Sequence, residues 1–387
     1  MVQSERLKKI PPYMFAEINK KIAAAKAAGV DVISLGVGDP DLPTPQPVIE
    51  ALNRTAADSK NHQYPDYEGL FAFREAVTKW YKRRHGVILD PDKETLALIG
   101  AKEGSLHLSL GVINPGDIAL IPEPSYTPYM TSTLLANGIP KPVVLKEENN
   151  WLPKFSDISG EDAEKAKILY LNYPNNPTAA VADEAFYKEA IDFAKNNDLI
   201  ICSDNPYSEV GLDGFKPLSF LEVQGAKEVG IEFNSLSKPY NMTGWRIGMA
   251  VGNAEVIEAM ANVKSNVDSG VFNAVQYAGI AALNLPDSHI DNLNAIYTKR
   301  RDWVCDALEA IGLEVNRPKA AFYVWAKVPK GHDSASFATE VLEKAGVVIT
   351  PGGAYGAGGE GFFRISLTVP DERLQEAVDR IEKSVQL

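Results

Sequence analysis

The sequence predicts an α/β protein in which a large domain with a mostly parallel sheet is joined to a smaller α+β domain. The middle of the chain alternates short apolar runs with longer segments of helical periodicity, which is typical of buried parallel strands connected by helices. From about residue 281 the chain changes to one long helical segment and isolated strand-like segments. A chain of 387 residues is also long enough for two hydrophobic cores. We expect residues 44–280 to form the large domain, and residues 1–43 to pack with residues 281–387 in the small domain.

The individual elements follow from these patterns. The first helix is predicted in FAEINKKIAAAKAAG, which closes on Gly29, a residue that commonly follows a helix. Strands are predicted in the apolar segments ETLALIG, DIALIPEPSY, AKILYLNYPNNPT, DLIICSDNPY and EVGIEFNSLSK. Helices are predicted in KEGSLHLSLGVI, DEAFYKEAIDFAKNN and AEVIEAMANVKSN. In the C-terminal part we expect a long helix in DNLNAIYTKRRDWVCDALEAIG, and strands in FYVWAKV and FFRISLTV on either side of another helix.

Composition argues against several classes of protein. The net charge of −12 disfavours a nucleic-acid surface. No stretch approaches the roughly 20 apolar residues of a membrane span, and the N-terminal segment lacks the layout of a signal peptide. Two cysteines, Cys202 and Cys305, cannot build a disulfide framework; Cys202 is predicted in the core, and we expect a cytoplasmic protein. Five scattered histidines, without H-x-x-x-H or C-x-x-C, predict no metal centre.

Candidate site residues, most of them polar, stand directly after the predicted strands. They are Ala101 and Lys102 after LALIG, Tyr126 after IALIPEPS, Asn176 after ILYLNYPN, Asp204 after LIICS, and Ser235 and Lys238 after VGIEFN. Ligands of open α/β sheets bind beyond the carboxyl ends of the strands. If these strands are parallel, all of these residues reach one edge of the sheet, and the sequence predicts a ligand site there.

Lys238 is the residue on which the chemistry depends. A lysine in this place could be a surface charge, a phosphate ligand, a proton acceptor or a covalent anchor. Because Lys238 follows a strand predicted to be buried, and Arg246 comes shortly after it, we expect lost hydration and a neighbouring cation to lower the pKa of its amine. Such an amine is nucleophilic enough to form an imine with an aldehyde.

The residues around Lys238 indicate a phosphate group. Ser235, Ser237 and Arg246 offer hydroxyls and a guanidinium, which suit a phosphate dianion. Serines also stabilise ordinary turns, so these alone decide little. Ala101 and Lys102 begin a predicted helix, whose N-terminal N–H groups can bind phosphate. A phosphate site beside an aldehyde-binding lysine points to pyridoxal 5′-phosphate.

This cofactor gives a purpose to other residues that would be structural in isolation. Asp204 could pair with the pyridinium nitrogen, which keeps the ring protonated so that it can accept electrons. Asn176 and Tyr207 could both donate to the phenolic oxygen, and Tyr126 could stack on the ring face. Without the cofactor, the segment Asp204-Asn205-Pro206 is better explained as a turn.

Arg364 lies in FFRISLTV, where strand alternation places it on the face opposite Phe363. Such an arginine is usually solvated, but the glycine-rich PGGAYGAGGEG before it indicates close approach to a small ligand, and a guanidinium can clamp a carboxylate in a bidentate manner. No βαβ pattern surrounds these glycines, so we do not expect a dinucleotide site. Ser235 and Lys238 also match the S-x-x-K motif of serine β-lactamases, but K-T-G is missing and the order relative to Ser203-Asp204-Asn205 is reversed.

Taken together, these residues resemble the fold-type-I aminotransferases, which depend on pyridoxal 5′-phosphate. The resemblance rests on YPNNPT (173–178), the pair Asp204 and Tyr207, SLSK (235–238) and Arg246, in order and spacing. It implies that Lys238 holds the cofactor and moves the proton at the substrate's α carbon. It also implies a homodimer with shared active sites, in which Tyr64 of one subunit reaches the phosphate bound by the other.

A closer resemblance is to the aminotransferases that act on LL-2,6-diaminopimelate. It rests on PPYMFAEINKKI, VISLGVGDPDLPTP, NHQYPDYEGL, IGAKEG, SKPYNMTGWRIG, KSNVDSG and GEGFFRISLT. It implies transfer of an amino group between this substrate and 2-oxoglutarate, as part of lysine biosynthesis. By the same resemblance, the substrate pocket is lined by Tyr13, Gly38, Lys102, Tyr126, Asn176 and Arg364. The chain departs from the pattern at Ala179, at Asn205-Pro206 and at Asn273.

Three alternatives remain open at this point. An aminotransferase of broader specificity, acting on aspartate, alanine or other amino acids, would share the same motifs. A lyase or racemase would also share them, because the same cofactor can break other bonds. A non-enzymatic effector domain of a transcription regulator has this fold too, but the aminotransferase-like pattern begins at about residue 11, and the acidic charge disfavours DNA.

Overall fold

The computed structural model describes residues 2–10 and 15–384. Tyr13, one of the predicted substrate residues, lies outside these ranges. The α-helices are α1 Glu5–Lys8, α2 Phe15–Ala27, α3 Gln46–Ala56, α4 Phe71–His85, α5 Ala101–Val112, α6 Pro128–Leu135, α7 Gly160–Lys165, α8 Glu184–Asn197, α9 Ala226–Val229, α10 Ala254–Val267, α11 Asn273–Leu283, α12 Ser288–Ala310, α13 Ser334–Ala345 and α14 Asp371–Ser384. The strands are β1 Ile33–Ser34, β2 Thr95–Leu98, β3 Ile118–Glu123, β4 Ile139–Val144, β5 Ala166–Leu171, β6 Ile200–Asp204, β7 Gly230–Ser235, β8 Gly248–Gly252, β9 Tyr323–Lys327, β10 Val347–Val348, β11 Thr350–Pro351 and β12 Phe362–Ser366.

The central sheet has seven strands in the order β2-β8-β7-β6-β5-β3-β4. Strands β3 to β7 pair in parallel, and β8 runs antiparallel to both of its neighbours. The mostly parallel sheet predicted from the alternating pattern is therefore confirmed, and each predicted strand of the middle region is present.

Two strands of this sheet were not predicted. Strand β4 (IPKPVV) contains two prolines and is largely exposed at the edge of the sheet, where proline is tolerated. Strand β8 (GMAVG) is short and bounded by glycines. A Cβ atom at Gly248 would lie 2.8 Å from the carbonyl oxygen of Asn234, so this strand passes its neighbour too closely for a side chain. Neither segment shows the apolar run on which the prediction relied.

Helices cover both faces of the sheet. Along β2, Ala97 belongs to one core cluster, while Leu96 and Leu98 belong to the other. The first cluster includes Trp80 of α4, and the second includes Met260 of α10. A parallel sheet buried on both faces is what the continuous apolar runs predict. Within the described ranges, no helix is both long enough and apolar enough to cross a membrane.

A second group of elements surrounds a separate core. Strands β11, β12 and β9 form an antiparallel sheet, and β1 pairs in parallel with β10. Ile33 and Leu35 share this core with residues of α12, α13 and α14, such as Leu308, Phe337 and Leu374. The N-terminal segment is thus packed against C-terminal elements. The domain limits at residues 43/44 and 280/281 themselves stay a prediction.

Candidate active site

A cavity of about 250 Å³ lies at the carboxyl ends of the central strands. Its lining includes Gly38, Ala101, Lys102, Tyr126, Asn176, Asp204, Tyr207, Ser235, Ser237, Lys238, Arg246 and Arg364. The structure thus brings together the site residues predicted from the sequence, apart from Tyr13 and Tyr64. Tyr64 is 88% exposed and does not line this cavity within the described chain. The roles assigned to all of these residues stay predictions.

Lys238 follows β7 and points into the cavity, where its ammonium donates a hydrogen bond to the carbonyl oxygen of Gly38 at 2.9 Å. Burial lowers the pKa of Lys238 to about 8, and the positive charges of Arg364 and Arg246 add to this effect, while Asp39 opposes it. Since an ordinary lysine titrates near 10.5, the neutral, nucleophilic amine is far more accessible here.

Asp204 ends β6 and is buried. Its Oδ2 accepts a hydrogen bond from the hydroxyl of Tyr129 at 2.6 Å, while its Oδ1 has no hydrogen-bond partner among the described residues. Burial raises the pKa of Asp204 to about 6, against the lowering effect of the Tyr129 hydrogen bond. The carboxylate therefore has one oxygen held in place and one oxygen that a ligand could satisfy.

Tyr129 was not predicted as a site residue, although it lines the cavity and lies in α6. Its spacing of three residues from Tyr126 places both rings on the same side of the helix start, with their centroids 5.8 Å apart. That spacing is the signal in the sequence that could have identified it.

Arg364 lies on β12 and is only 3% exposed, so it is not the solvated arginine that an ordinary sheet face would carry. Its guanidinium donates to Oδ1 of Asn176 and to the carbonyl oxygen of Gly36, both at 2.6 Å. Its Nε has no hydrogen-bond partner within the described ranges. The guanidinium is thus fixed in the cavity wall with donor capacity left for an anionic ligand.

Tyr323 is a second residue that the sequence did not predict. Its hydroxyl lies 2.8 Å from that of Tyr207, and its ring lies 4.1 Å below the guanidinium of Arg364. A Cβ atom at Gly38 would be 2.1 Å from the Tyr323 hydroxyl oxygen, so only glycine fits at position 38. Tyr323 thus connects three predicted site residues. Because it sits inside the apolar segment FYVWAKV, nothing in the local sequence separates it from a core aromatic.

Another part of the cavity lining offers groups suited to an anion. Helix α5 begins at Ala101 after Gly100, whose φ is +78°. A Cβ atom at Gly100 would lie 2.1 Å from Nη2 of Arg246, so this glycine allows the guanidinium to approach the helix N-terminus. Ser235 Oγ accepts from the backbone N–H of Ser237 at 3.1 Å and stays within the cavity lining. These donors form a compact cationic corner.

One group of possible metal ligands lies near this corner. Glu103, His107 and Asp268 place ligand atoms within 4.8 Å of one another. The ammonium of Lys264 lies 3.1 Å from Glu103 and 2.9 Å from Asp268. A lysine cation thus already compensates the two carboxylates, and the absence of a metal centre stays a prediction.

The comparisons with known proteins define the class of this enzyme. The family model described as aminotransferase class I and II matches residues 30–381. The chain therefore belongs to the class I and II aminotransferases, and it is a transaminase, as its motifs predicted. Enzymes of this class act on amino acids and 2-oxo acids, and the family uses pyridoxal 5′-phosphate.

Particular members of the family are very similar to this chain. The LL-diaminopimelate aminotransferase of Halothermothrix orenii is 54% identical over 384 residues, covering 99% of both chains. That of Moorella thermoacetica is also 54% identical, covering 99% of this chain and 98% of the relative. Among solved structures, substrate-bound BacF from Bacillus subtilis has a TM-score of 0.94 at 39% identity, covering 99% of this chain and 98% of that one.

Proposed function

We propose that this transaminase moves an amino group between LL-2,6-diaminopimelate and 2-oxoglutarate, with pyridoxal 5′-phosphate as its cofactor and in the service of lysine biosynthesis. The observation that carries the proposal is the identity of 54% over 99% of the chain to enzymes named for this substrate. The cytoplasmic location predicted above belongs to the same proposal, and both Cys202 and Cys305 are buried free thiols.

The residues present fit the cofactor. The buried Oδ1 of Asp204 has no partner among the described residues and would accept a hydrogen bond from a protonated ring nitrogen. The cationic corner, with Ser235, Ser237, Arg246 and the first turn of α5 at Ala101 and Lys102, would hold the phosphate. When bound, pyridoxal 5′-phosphate supplies an aldehyde that condenses with amines and a ring that accepts electrons from the substrate's α carbon.

The remaining cofactor contacts follow from the same geometry. Asn176 and Tyr207 face the cavity from two different strand ends and would donate to the phenolic oxygen of the cofactor. Tyr126 would pack on the ring face. The hydroxyl of Tyr323 would keep Tyr207 oriented, because the two hydroxyls are already hydrogen-bonded.

Lys238 would move the proton at the substrate's α carbon. With a pKa of about 8, about a tenth of the amine is neutral at pH 7, compared with well under a thousandth for an ordinary lysine. The amine would anchor the cofactor and then take and return the proton at the substrate's α carbon. Burial both lowers the pKa and keeps bulk water away from the exchanged proton.

Arg364 would orient the substrate by its α-carboxylate. The contacts to Asn176, Gly36 and the Tyr323 ring hold the guanidinium before any substrate arrives, so little entropy is lost on binding. The rest of the substrate pocket would be lined by Gly38, Lys102, Tyr126 and Asn176. Tyr13 is assigned to this pocket by resemblance alone.

Arg364→Lys tests this assignment. Lysine retains the charge but loses the planar fork and the stacking on Tyr323, so we expect kcat/KM for the amino donor to fall about 10²- to 10³-fold. Cofactor affinity, measured by fluorescence titration of the apoenzyme, should change little. A matched substitution of a buried arginine outside the cavity, Arg301→Lys, should lower the melting temperature and leave KM unchanged.

Gly100→Ala tests the anion corner. The new Cβ would collide with Nη2 of Arg246 at a backbone φ of +78°, so we expect cofactor affinity to fall about tenfold or more. Gly86→Ala is the control, because Gly86 has a similar φ of +70° but nothing within 4 Å of its Cβ position. Gly86→Ala should lose about 1–2 kcal/mol of stability from the left-handed backbone. Gly100→Ala should lose more, because its ψ of 149° places it in a region nearly exclusive to glycine. If the two variants bind the cofactor equally, Arg246 does not hold the phosphate.

We also propose that the enzyme is a homodimer with shared active sites. Large apolar side chains are exposed at Tyr64, Tyr67, Phe71, Val267 and Phe272. A Cβ atom at Gly270 would lie 2.8 Å from the carbonyl oxygen of Asp66, so the two loops that bear these residues are adjacent. Exposed apolar side chains on adjacent loops favour a partner surface, and Tyr64 would reach the phosphate in the partner's site. Sedimentation equilibrium should give twice the mass of 42.1 kDa.

A panel of amino donors tests the substrate. With 2-oxoglutarate as acceptor, we expect LL-2,6-diaminopimelate to give a kcat/KM at least about tenfold above that of aspartate, alanine and the branched-chain amino acids. A higher value for any of these would replace the proposal by the broader-specificity aminotransferase. Racemisation or elimination without amino transfer would instead favour the racemase or lyase alternative.

A further inference from the structure

A buried glutamate lies directly behind Asp204. Glu232 belongs to β7, and in the parallel register its partner on β6 is Ser203, the residue before Asp204. Glu232 is 0% exposed. It lines no part of the cavity and has no role in the mechanism described above. A fully buried carboxylate in the strand next to the site is costly unless its surroundings compensate it, so its contacts need an explanation.

The compensation comes from hydrogen-bond donors and from the nearby His85. Glu232 accepts from the hydroxyls of Tyr81 and Ser219, both at 3.0 Å, and from the backbone N–H of Phe220 at 3.1 Å. Among the described residues, no lysine or arginine forms an ion pair with it. Hydrogen bonds donated to a carboxylate favour its ionised form. The donors, together with His85, thus favour a negative charge on Glu232, and burial opposes it.

Two further donors to Glu232 are the residues on either side of Asp204. Oε2 of Glu232 accepts from Oγ of Ser203 at 3.4 Å and from Nδ2 of Asn205 at 3.3 Å. The backbone of Asn205 is also tied to β7, through its N–H to the carbonyl oxygen of Phe233 at 2.8 Å. One carboxylate thus binds the side chains on both sides of Asp204, the group predicted to meet the ring nitrogen.

We propose that Glu232 is a positioning residue for Asp204. Through Ser203 and Asn205 it holds Asp204 in line with the ring nitrogen of the cofactor, and its negative charge stabilises the proton on that nitrogen. This inference rests on the proposed cofactor and on the proposed pairing of Asp204 with the ring nitrogen. It adds a residue that touches neither substrate nor cofactor but sets how well the ring accepts electrons.

The charges around Asp204 and Glu232 are consistent with the positioning role of Glu232. The negative charge of Glu232 raises the pKa of Asp204, in the same direction as burial, while the hydroxyl of Tyr129 lowers it. Cys202 is the other titratable group near Asp204 on its own strand, and it is a buried thiol. Burial raises the pKa of Glu232, and His85, Ser219, Tyr81 and Asn205 lower it. A more negative potential at Asp204 favours a proton on the opposed ring nitrogen.

Glu232→Gln tests the inference in the holoenzyme. We expect cofactor affinity and kcat to fall about tenfold each, with KM for the amino donor unchanged. The pH midpoint of the visible absorbance of the bound cofactor should rise by about one unit, because a ring nitrogen that has lost its proton no longer repels a proton on the Lys238 nitrogen. Glu232→Asp, which keeps the charge, should restore most of the absorbance midpoint.

The control is Glu222→Gln. Glu222 accepts from the Ser219 N–H and pairs with His85 in the same buried region, but it has no contact with Ser203 or Asn205. This variant should lower the melting temperature and leave the absorbance midpoint and kcat unchanged. A purely structural Glu232 would behave in the same way, so an unchanged midpoint in a folded Glu232→Gln protein overturns the inference.

If Glu232→Gln does not fold, the double variant Ser203→Ala, Asn205→Ala tests the inference instead. This variant removes the two side-chain hydrogen bonds to Glu232 and leaves its charge. Reduced cofactor affinity would support the positioning role, whereas wild-type affinity would overturn it. A wild-type protein that binds no pyridoxal 5′-phosphate would refute the proposed function and this inference together. A wild-type protein that binds it normally, combined with an unaffected variant, would refute the inference alone.

Discussion

Replacing Lys238 by alanine is expected to lower the rate of transamination by about 10⁴-fold or more. The variant loses both the amine that would anchor the cofactor and the base that would move the α proton. Reduction of the wild-type enzyme with borohydride, followed by peptide mass mapping, should place the cofactor on Lys238. The variant should yield no labelled peptide, although it can still bind the cofactor through its phosphate.

Lys344→Ala is the matched control, because Lys344 lies on the surface in an ion pair with Glu340. Its activity and its borohydride labelling should equal those of the wild type. Labelling of the wild type on any lysine other than Lys238 would contradict the assignment. Retention of activity within tenfold in Lys238→Ala would contradict it equally.

Replacing Asp204 by asparagine is expected to lower kcat about 10³-fold, because the ring nitrogen would lose the carboxylate proposed to keep it protonated. The same change should stabilise the apoenzyme at neutral and alkaline pH. The pKa of Asp204 is raised to about 6 in the folded protein from 3.8. A raised carboxyl pKa contributes stability that is fully present below about pH 4 and is lost as the pH rises through 6.

Urea unfolding of the wild-type and Asp204→Asn apoenzymes at pH 8 and at pH 4 checks the direction of this stability difference. At pH 8 the variant should be more stable by on the order of 2 kcal/mol, and the difference should largely vanish at pH 4. Asp213→Asn should have the opposite effect at pH 8, because the hydrogen bond from Arg301 lowers the pKa of Asp213. Equal stability of wild type and Asp204→Asn at pH 8 would show that the Asp204 carboxylate is not penalised by burial.

The strand-end residues could be predicted because their positions follow from local pattern alone. A buried parallel strand is recognisable by its apolar run, and the residue that follows it must lie at the ligand edge. This is why the sequence alone was enough to place Asn176, Asp204 and Lys238 together. The alternation of side chains along β12 was predicted as well. The burial of both faces of β12 was not, because Arg364 is covered by Tyr323 and Gly36, which are distant from it in sequence.

Roles that depend on tertiary contacts could not be predicted. Tyr323 acquires its role only where its strand meets Tyr207. Tyr129 has a local signal in its spacing from Tyr126, but its hydrogen bond to Asp204 depends on tertiary contact. The role of Glu232 could not be predicted for a further reason. It lies within an apolar strand, whose pattern predicts only a core position. Its five donor residues come from distant parts of the chain, namely α4, β6 and the turns at residues 205 and 219–220.

The reversed direction of β8 has a consequence for how insertions and deletions are tolerated. A parallel neighbour of β7 would have required a crossover to the far end of the sheet, whereas the antiparallel β8 lets residues 236–247 turn back beside the cavity. Lys238 and Arg246 therefore belong to one short return loop. A change in the length of this loop would displace the proposed covalent anchor, Lys238, and the proposed phosphate-binding residue, Arg246, at the same time. The crossover segments on the far side can lengthen without touching either group.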